Sequence, residues 1–503
     1  MDAFKRFLPD VYSLRNSFHN DCIVWYVFLG GFLKNYYQRK VLSQWLHLEV
    51  FSPSFHADCI GMSLLECVSF HGLKYEFSHR RQCHNTGIEK FSPQCTDMVS
   101  PSVPYYYRNP YPFDLCFLQC CESSCGIVSH RVVNKKCFSF RTIMFTTHYD
   151  PSQELWDGPR TTPDLATEVW GVDVGLPLSE LTHYLSKLEK DLISPTLWYN
   201  NQAPPNPEIH RKIQTWLSDG RQGGMESIKR YIHNLRVIKS PAEIDLMRET
   251  CRISGEAITA TMKSTCIPTT EHQLFATVDY HARMRGADHL AYPPVIAGGN
   301  RANIIHYINN NQTINPGELV LMDAGSEFHG YSGDITRTWP ISGEFTPAQR
   351  DVYEAVLSVQ ETVIRACSQK PTLDQLFSVM CLALGKVLQE LCILPSGFND
   401  GQLMRGAYSF CPHHVSHYLG MDVHDTPLVP RHKKLLPGSI ITVEPGVYIN
   451  ENNSIAPSRY LGIGIRLEDD ILITENGYEV LSSSAPKHPD EIEACVGADF
   501  KQK

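Results

Sequence analysis

Apolar residues recur at helical spacing in four segments between residues 240 and 391. The first segment follows Ser240-Pro241-Ala242-Glu243, which has the side chains of a capping box and a proline suited to the first helical turn. Its apolar residues share one helical face as far as Met262. The other three segments begin at Thr270, Thr346 and Thr372. The pattern therefore predicts four amphipathic helices, arranged as two pairs along the chain.

Residues that favour β-strands follow each helix pair. In residues 320–341 two such runs flank Gly325 and Gly330, which allow the chain to reverse, so this stretch predicts a hairpin. Residues 439–449 and 462–474 alternate in the same way and predict two further strands. The order helix, helix, strands occurs twice. It predicts a duplicated ααββ unit in which helices cover one side of a curved antiparallel sheet and leave the other side for a site.

The patterns are weaker before residue 239. Residues 178–192 and 207–217 have helical spacing, and residues 150–160 are rich in turn formers. Residues 227–239 are amphipathic and basic, and we interpret them as a linker helix and strand that enter the next domain. Residues 1–146 show no sustained period of 2 or 3.6 residues. The patterns therefore place domain boundaries near residues 147 and 239.

Composition narrows the class of protein. The formal net charge of −9 argues against a nucleic-acid partner. The longest apolar run, residues 23–33, is too short for a membrane span. Ten of the 17 cysteines precede residue 150, and the spacing is not that of a disulfide framework. From about residue 150 onward the sequence is typical of a reduced, intracellular protein.

Four acidic residues occupy notable positions in the predicted strands. Asp323 and Asp334 lie on the two arms of the predicted hairpin, where paired side chains come within about 5 Å of each other. On this stretch alone, a turn cap or a bond to a neighbour such as Arg337 is the alternative. Glu444 and Glu468 interrupt apolar runs, and a buried charge is costly unless it is paired or bound to a metal. For either glutamate alone, a salt bridge or an edge position is the alternative.

Histidines cluster between these strands. His413, His414, His417 and His424 all lie within residues 411–425. A scattered histidine is usually structural, but this density indicates function. His306 ends an apolar run of its own upstream of Asp323.

The charges of these groups indicate a kind of chemistry. Four carboxylates converging on one sheet would repel strongly in a cleft of low dielectric constant, and two divalent cations would balance them. With one neutral imidazole, the donors suit manganese, with zinc or cobalt as substitutes. Two metals about 3.5 to 4 Å apart bridge a hydroxide and polarise a carbonyl, so the set predicts hydrolysis.

The second half of the chain also resembles a known family. Residues from about 240 to 484 resemble the pita-bread metallopeptidases and, among them, the Xaa-Pro aminopeptidases of the mitochondrial type. Five motifs stand in the family's order: AYPPVIAGGNRANIIHY, LMDAGSEFHGYSGDITRTWP, HHVSHYLGMDVHD, ITVEPGVYI and GIGIRLEDD. The resemblance implies an α+β protein whose pita-bread catalytic domain spans residues 239–484, followed by a C-terminal tail, residues 485–503. Residues 147–238 resemble the end of a creatinase-type N-terminal domain. Residues 1–146 depart from that pattern and form an atypical segment, for which disorder or misfolding is one interpretation.

The resemblance also assigns roles to residues. It implies two Mn²⁺ ions, with Zn²⁺ or Co²⁺ as substitutes, held by five ligands: Asp323, Asp334, His417, Glu444 and Glu468. It makes His306, His424 and Glu444 catalytic. It also places His306, His413, His424 and Arg466 against the substrate, with His413 and Arg466 in the site that accepts proline.

The implied activity is hydrolysis of the bond between any N-terminal residue and a penultimate proline, by a hydroxide that bridges the two metals. A prolidase-like dipeptidase is one alternative. A pita-bread binding module, catalytically impaired by the atypical N-terminus, is another. The expected partners are peptides with proline in second place and a second copy of the chain in a homodimer, without nucleic acid or a membrane span. The resemblance implies a mitochondrial location, with the cytoplasm as the alternative because the sequence has no clear presequence.

Overall fold

The structure is a computed structural model that divides the chain into two compact units, Met1–Lys229 and Arg230–Lys503. The division falls a few residues before the boundary at 239 that the sequence predicted. The structure describes residues 24–26, 126–134, 137–146, 151–158, 161–190, 196–199, 207–218, 225–227 and 229–501.

The described residues of the first unit include a mixed β-sheet. Its strands are β1 Val24–Tyr26, β2 Gly126–Asn134, β3 Cys137–Thr146, β4 Val174–Pro177, β5 Thr196–Trp198 and β6 Met225–Glu226. They lie in the order β4-β3-β2-β1-β5-β6, with β2 and β3 as an antiparallel hairpin and β4 parallel to β3. The first three strands fall within residues 1–146, where the sequence patterns gave no elements.

Helices accompany this sheet. They are α1 Pro151–Asp157, α2 Pro163–Trp170, α3 Leu181–Lys190 and α4 Pro207–Ser218. Ile143 and Phe145 of β3 pack with Leu185 of α3 and Trp216 of α4 in a buried cluster. The interpretation of residues 150–160 as turns is wrong for α1, because Pro151 occupies the first position of a helix, where its missing N–H costs no hydrogen bond.

The second unit confirms the predicted helices and adds three that the sequence did not predict. Its helices are α5 Lys229–Arg236, α6 Pro241–Lys263, α7 Glu271–Met284, α8 Pro347–Ala366, α9 Leu373–Glu390, α10 Asp400–Phe410, α11 Pro489–Cys495 and α12 Ala498–Lys501. Helix α5 begins at the boundary between the units. Among residues 229–239 the strand expected after the linker helix is not formed, because the chain enters α6 directly.

Reciprocal hydrogen bonds explain where these helices begin. The Ser240 hydroxyl accepts from the Glu243 N–H, and the Glu243 carboxylate accepts from the Ser240 N–H at 2.7 Å. Thr270, Thr346 and Thr372 form the same capping box at α7, α8 and α9. Asn399 does so at α10, a helix that the sequence analysis missed. The second repeat therefore has three helices before its final strands, rather than two.

Short antiparallel strands line the second unit. They are β7 Thr269–Thr270, β8 His289–Leu290, β9 Val295–Gly298, β10 Thr313–Ile314, β11 Leu319–Ala324, β12 Ser326–Phe328, β13 Tyr331–Ser332, β14 Ile335–Pro340, β15 Ile440–Val443, β16 Gly446–Ile449, β17 Ile463–Arg466, β18 Asp469–Thr474 and β19 Gly477–Val480. Strand β11 pairs with β9 and β14, as the predicted hairpin requires. Strand β15 pairs with β18, and β16 with β17.

Both predicted ligand glutamates lie between strands. Glu444 and Pro445 separate β15 from β16, and proline has no N–H with which to continue the ladder. Glu468 separates β17 from β18 in the same way. The expectation that these acids lie within two continuous strands is therefore wrong. At each break the chain passes from one sheet to another. The N–H of Glu444 donates to the Val415 carbonyl at 2.9 Å, and that of Glu468 donates to the Thr336 carbonyl at 3.1 Å.

A single large core holds the helices against these strands. Trp339 of β14 and Val352 of α8 are fully buried in it. Ile492 and Val496, from the segment predicted as a tail, join the same core. Among the described residues, no helix combines the length and apolar character needed to cross a membrane.

Candidate metal centre

Two aspartates from the first repeat meet through one tyrosine. Asp323 lies near the end of β11, opposite Thr336 of β14, and Asp334 directly precedes β14. The Tyr292 hydroxyl lies 2.5 Å from Asp323 Oδ1 and 2.6 Å from Asp334 Oδ1. Burial and the neighbouring acids raise the pKa of Tyr292 well above its ordinary value, so the hydroxyl keeps its proton.

His417 reaches the same place from the second repeat. Its backbone N–H donates to Thr442 Oγ1 at 3.2 Å, which fixes the segment against β15. Its Nδ1 lies 3.1 Å from the Tyr418 carbonyl, so the ring presents Nε2 to the acids. Nε2 is 3.3 Å from Asp334 Oδ2 and 3.6 Å from Glu444 Oε1. The ring therefore has the orientation of a metal ligand, with its other nitrogen held by the backbone.

The glutamates complete the group from the two strand breaks. Glu468 accepts a hydrogen bond of 2.6 Å from the Thr336 hydroxyl, which belongs to the strand opposite Asp323. The Thr442 hydroxyl lies 3.4 Å from Glu444 Oε1. The structure thus brings all five predicted ligands, from both repeats, into one region.

Like charges dominate the electrostatics of this region. Burial, followed by repulsion from Asp334, raises the pKa of Glu468 well above its ordinary value. Burial also raises the pKa of Glu444 to about 7, although His417 acts against it. Burial opposes a charge on His417. The hydrogen bond with Asp334 and the negative charges of Glu444 and Asp334 together outweigh burial and raise the pKa of His417 to about 9. The positive charges of His417 and Arg466 therefore do not suffice to keep all four carboxylates ionised.

The donors fit divalent cations. One ligand atom from each of Asp334, His417 and Glu468 lies within 4.8 Å of the others. Carboxylate oxygens with a single imidazole are the donors that manganese, cobalt and zinc accept. Cations placed among these side chains would supply the charge that the cluster lacks. The residues present are thus suited to a metal centre.

Three further histidines border the centre. His413 Nε2 lies 2.9 Å from the Tyr448 hydroxyl, and the ring centroid of His424 is 4.6 Å from that of His417. Burial lowers the pKa of His413 and of His424 to about 4, and the charge of His306 adds to both effects. The three rings are therefore close enough to influence one another's charge, and His306 and His424 are exposed.

Arg466 brings a guanidinium group into the site. It donates to Asp323 Oδ2 at 2.6 Å and to the Tyr448 hydroxyl at 3.0 Å. Its Nε donates to Thr336 Oγ1 at 3.2 Å. Arg337, the alternative partner for the aspartates, lies elsewhere: its guanidinium is 2.7 Å from Asp469 Oδ1, and both side chains are fully buried.

Sequence reasoning missed the hydroxyl groups of the site. Tyr292, Thr336 and Tyr448 each donate to, or accept from, a predicted site residue. Tyr292 stands within the AYPPVIAGGN motif, and Tyr448 within ITVEPGVYI. The motifs were the available signal, but strand patterns do not reveal which acid a hydroxyl will reach.

Comparison with known proteins places this fold and site in a class. Residues 245–475 match the model of metallopeptidase family M24, and residues 96–198 match that of the aminopeptidase P N-terminal domain. The second match begins upstream of residue 147, where the sequence patterns first became readable. The chain belongs to metallopeptidase family M24, and the expected pita-bread fold is confirmed.

Individual relatives narrow the resemblance. The chain is 41% identical to Xaa-Pro aminopeptidase 3 of Rattus norvegicus and 40% identical to that of Homo sapiens, covering 79% of this chain and 80% of each relative. Intermediate cleaving peptidase 55, mitochondrial, of Arabidopsis thaliana is 37% identical over 79% of this chain and 77% of its own length.

Solved structures agree with these relatives. Proline aminopeptidase P II from Yersinia pestis matches with a TM-score of 0.69 and 32% identity, over 74% of this chain and 87% of that one. Escherichia coli aminopeptidase P with the inhibitor Pro-Leu matches with the same TM-score and identity, over 75% and 87%. These relatives confirm the resemblance to Xaa-Pro aminopeptidases found in the sequence motifs.

Proposed function

We propose that this metallopeptidase removes the N-terminal residue from peptides whose second residue is proline. One observation carries the proposal: five side chains from both repeats, four of them acidic, converge with an imidazole nitrogen 3.3 Å from a carboxylate oxygen. Relatives named Xaa-Pro aminopeptidase support the choice of substrate, as does the Pro-Leu inhibitor of the Escherichia coli enzyme.

Two Mn²⁺ ions are the proposed cofactor, with Zn²⁺ or Co²⁺ as substitutes. The residues that would hold them are Asp323, Asp334, His417, Glu444 and Glu468. When bound, such ions supply Lewis acidity and lower the pKa of water. A zinc-substituted form of Escherichia coli aminopeptidase P supports the interchange of metals.

The protein's own side chains act on the carbonyl group before proline and on the leaving nitrogen. His306 and His424 donate hydrogen bonds to the carbonyl oxygen as it gains negative charge, and so lower the barrier. Glu444 carries a proton from the attacking water to the proline nitrogen.

His413 and Arg466 form the proposed site for the proline ring. Both side chains bond to the Tyr448 hydroxyl, His413 at 2.9 Å and Arg466 at 3.0 Å, so one residue fixes their positions. The ion pair of Arg466 with Asp323 further links this site to the proposed metal ligands. A rigid wall of this kind selects a cyclic residue at low entropic cost.

The test is cleavage of an Xaa-Pro-Xaa tripeptide by the full chain, with Mn²⁺ and with a chelator. We expect release of the first residue with Mn²⁺ and its loss on chelation. An Xaa-Ala-Xaa tripeptide serves as the control for proline, and an Xaa-Pro dipeptide as the control for length. Equal cleavage of the alanine peptide would refute the proposed specificity.

Two other outcomes correspond to the alternatives from the sequence. Cleavage of the dipeptide alone would identify a prolidase-like dipeptidase. A folded, Mn²⁺-loaded chain that cleaves neither peptide but binds one would identify a pita-bread binding module.

We further propose a mitochondrial location. The Arabidopsis relative, named as a mitochondrial peptidase, supports it. Fractionation of cells that express the chain would test it, and recovery in the cytoplasm would refute it. Boundaries near residues 147 and 485 are not proposed, because the match to the N-terminal domain spans residues 96–198, and Ile492 and Val496 join the core. A domain boundary near residue 239 and a homodimer are proposals of the same kind. Limited proteolysis and light scattering test them, respectively.

A further inference from the structure

A buried glutamate gathers the loop that carries His306. Glu271, at the start of α7, has a fully buried side chain. Its Oε1 accepts from the Gly298 N–H at 3.0 Å and from Arg301 Nε at 2.6 Å. Its Oε2 accepts from the Tyr307 hydroxyl at 2.8 Å and from the Gln312 N–H at 2.9 Å. One carboxylate thus bonds four points of a single loop.

The residues bonded to Glu271 lie on both sides of His306 in the sequence. The loop runs from the end of β9 at Gly298 to the start of β10 at Thr313, and His306 precedes Tyr307. Residues 304–312 have no helix or strand to fix them, so side-chain bonds set their shape. The positive end of α7 and the guanidinium of Arg301 compensate the buried charge of Glu271.

Asp425, a buried aspartate, follows His424 in the sequence and is held by two basic residues. The Asp425 side chain is 1% exposed and bonds to Arg236 and, at 3.1 Å, to Lys239 Nζ. Both basic residues come from the end of α5 and the residues just after it. The Asp425 N–H donates to the Tyr418 carbonyl at 2.9 Å, and Tyr418 also bridges to Ile441 of β15.

These bonds set two histidines side by side. His417 and His424 each precede a member of the Tyr418–Asp425 bridge, and their rings lie 4.6 Å apart at an angle of 85°. The segment between them has no helix or strand, only the bridge at Tyr418 and a run of bends at residues 420–424. The charged anchor on Asp425 therefore fixes the backbone from which the His424 ring extends.

We infer that Glu271 and Asp425 are positioning residues, Glu271 for His306 and Asp425 for His424. The inference rests on the proposed function of those histidines. Neither acid bonds to a proposed metal ligand through its side chain. Glu271 bonds to the Tyr307 hydroxyl, next to His306 in the sequence, and Asp425 itself follows His424. Small displacements of a group that binds the reacting carbonyl reduce catalysis strongly, which gives these distant acids their effect.

The test is a crossed set of double-mutant cycles on cleavage of the Xaa-Pro-Xaa tripeptide with Mn²⁺. Glu271→Gln and Asp425→Asn keep the side-chain shape and remove the charge. Each is expected to lower kcat about 10-fold, as loss of a supporting contact does, with a smaller change in KM. Glu271→Gln should have no further effect in a His306→Ala background and its full effect in a His424→Ala background. Asp425→Asn should behave in the opposite way.

The crossed design separates positioning from general support of the fold. A merely structural role would give the same loss in both histidine backgrounds, and that result would overturn the inference. If a charge-removing variant fails to fold, Tyr307→Phe and Lys239→Met replace it, since each deletes one bond to the acid. Glu479→Gln is the matched control, because it removes an exposed ion pair with Arg248.

A second readout does not depend on activity. Hydrogen exchange should accelerate across residues 298–312 in Glu271→Gln and across residues 417–425 in Asp425→Asn, each leaving the other segment unchanged. If the wild-type chain binds Mn²⁺ and cleaves no peptide, the proposed function fails, and exchange alone decides about positioning. Unchanged exchange in the matching segment would overturn the inference, whatever the activity.

Discussion

Tyr292 joins the two aspartates of the metal centre through one hydroxyl group, within 2.6 Å of each. This hydroxyl group orients the carboxylates of both aspartates, so Tyr292 acts as an outer partner of the proposed ligands. Its position could not be predicted, because the tyrosine lies far from both acids in sequence. Only the pairing of β11 with β9 and β14 brings them together.

We expect Tyr292→Phe to weaken Mn²⁺ affinity about 10-fold, since removal of an outer partner typically costs that much. Isothermal titration calorimetry measures the change. Tyr331→Phe is the matched control, because it deletes a tyrosine–carboxylate bond of 2.7 Å to Glu243, which is not among the proposed ligands. Equal loss of affinity in both variants would argue against a specific role for Tyr292.

Glu468→Gln should abolish measurable Mn²⁺ binding and lower activity roughly 100-fold or more, because a direct ligand contributes at least as much as an outer one. Its amide retains the volume and the bond to Thr336, so the fold is expected to persist. Glu479→Gln, an exposed residue of β19, is the control for the chemical change. Full activity in Glu468→Gln would show that the site assignment is wrong.

At the scale of elements, the strand breaks decide where the acids point. Alternation along residues 439–449 and 462–474 predicted strands, and the strands formed. The interruptions at Glu444 and Glu468 were not predicted. Pro445 is a local signal for the first break, since it cannot donate to a ladder. The second break has no such signal, because it follows from the partner strand changing sheets.

Arg337 of β14 and Asp469 of β18 form a fully buried ion pair that joins the two repeats beside Glu468. Arg337→Met should lower the free energy of unfolding by about 3 kcal/mol, because a buried charge loses a partner. Chemical denaturation measures this loss. The control, Arg248→Met, breaks an exposed pair and should cost less than about 1 kcal/mol. Similar losses in the two variants would contradict the argument from burial.

At the scale of the whole molecule, the proposed metal centre lies where the repeats meet. Asp323 and Asp334 belong to the first, and His417, Glu444 and Glu468 to the second. Burial and mutual repulsion raise the pKa of both Glu444 and Glu468, so bringing these acids together costs electrostatic free energy. Cation binding should relieve that cost and hold the repeats together.

Mn²⁺ should therefore raise the unfolding temperature of the chain. At a free concentration 100 times the Kd, the stabilisation is about 2.7 kcal/mol. Calorimetry with Mn²⁺ and with a chelator measures the shift. The Glu468→Gln variant should show no such shift, and a shift equal to that of the wild type would place the bound metal elsewhere.

The sequence by itself determined the four helices α6 to α9, the class of the fold and the identity of the acids and imidazoles. Helix starts such as Thr372 depend on residues three positions apart, and the alternating strands depend on immediate neighbours, so local patterns contain that information. Tertiary structure alone decided the rest. The hydroxyl of Tyr292, the ion pair of Arg466 with Asp323 and the anchors at Glu271 and Asp425 all join segments distant in sequence. Their partners are fixed only when the two repeats fold around a common core, because hydrogen bonds and ion pairs form between atoms within a few ångströms in space.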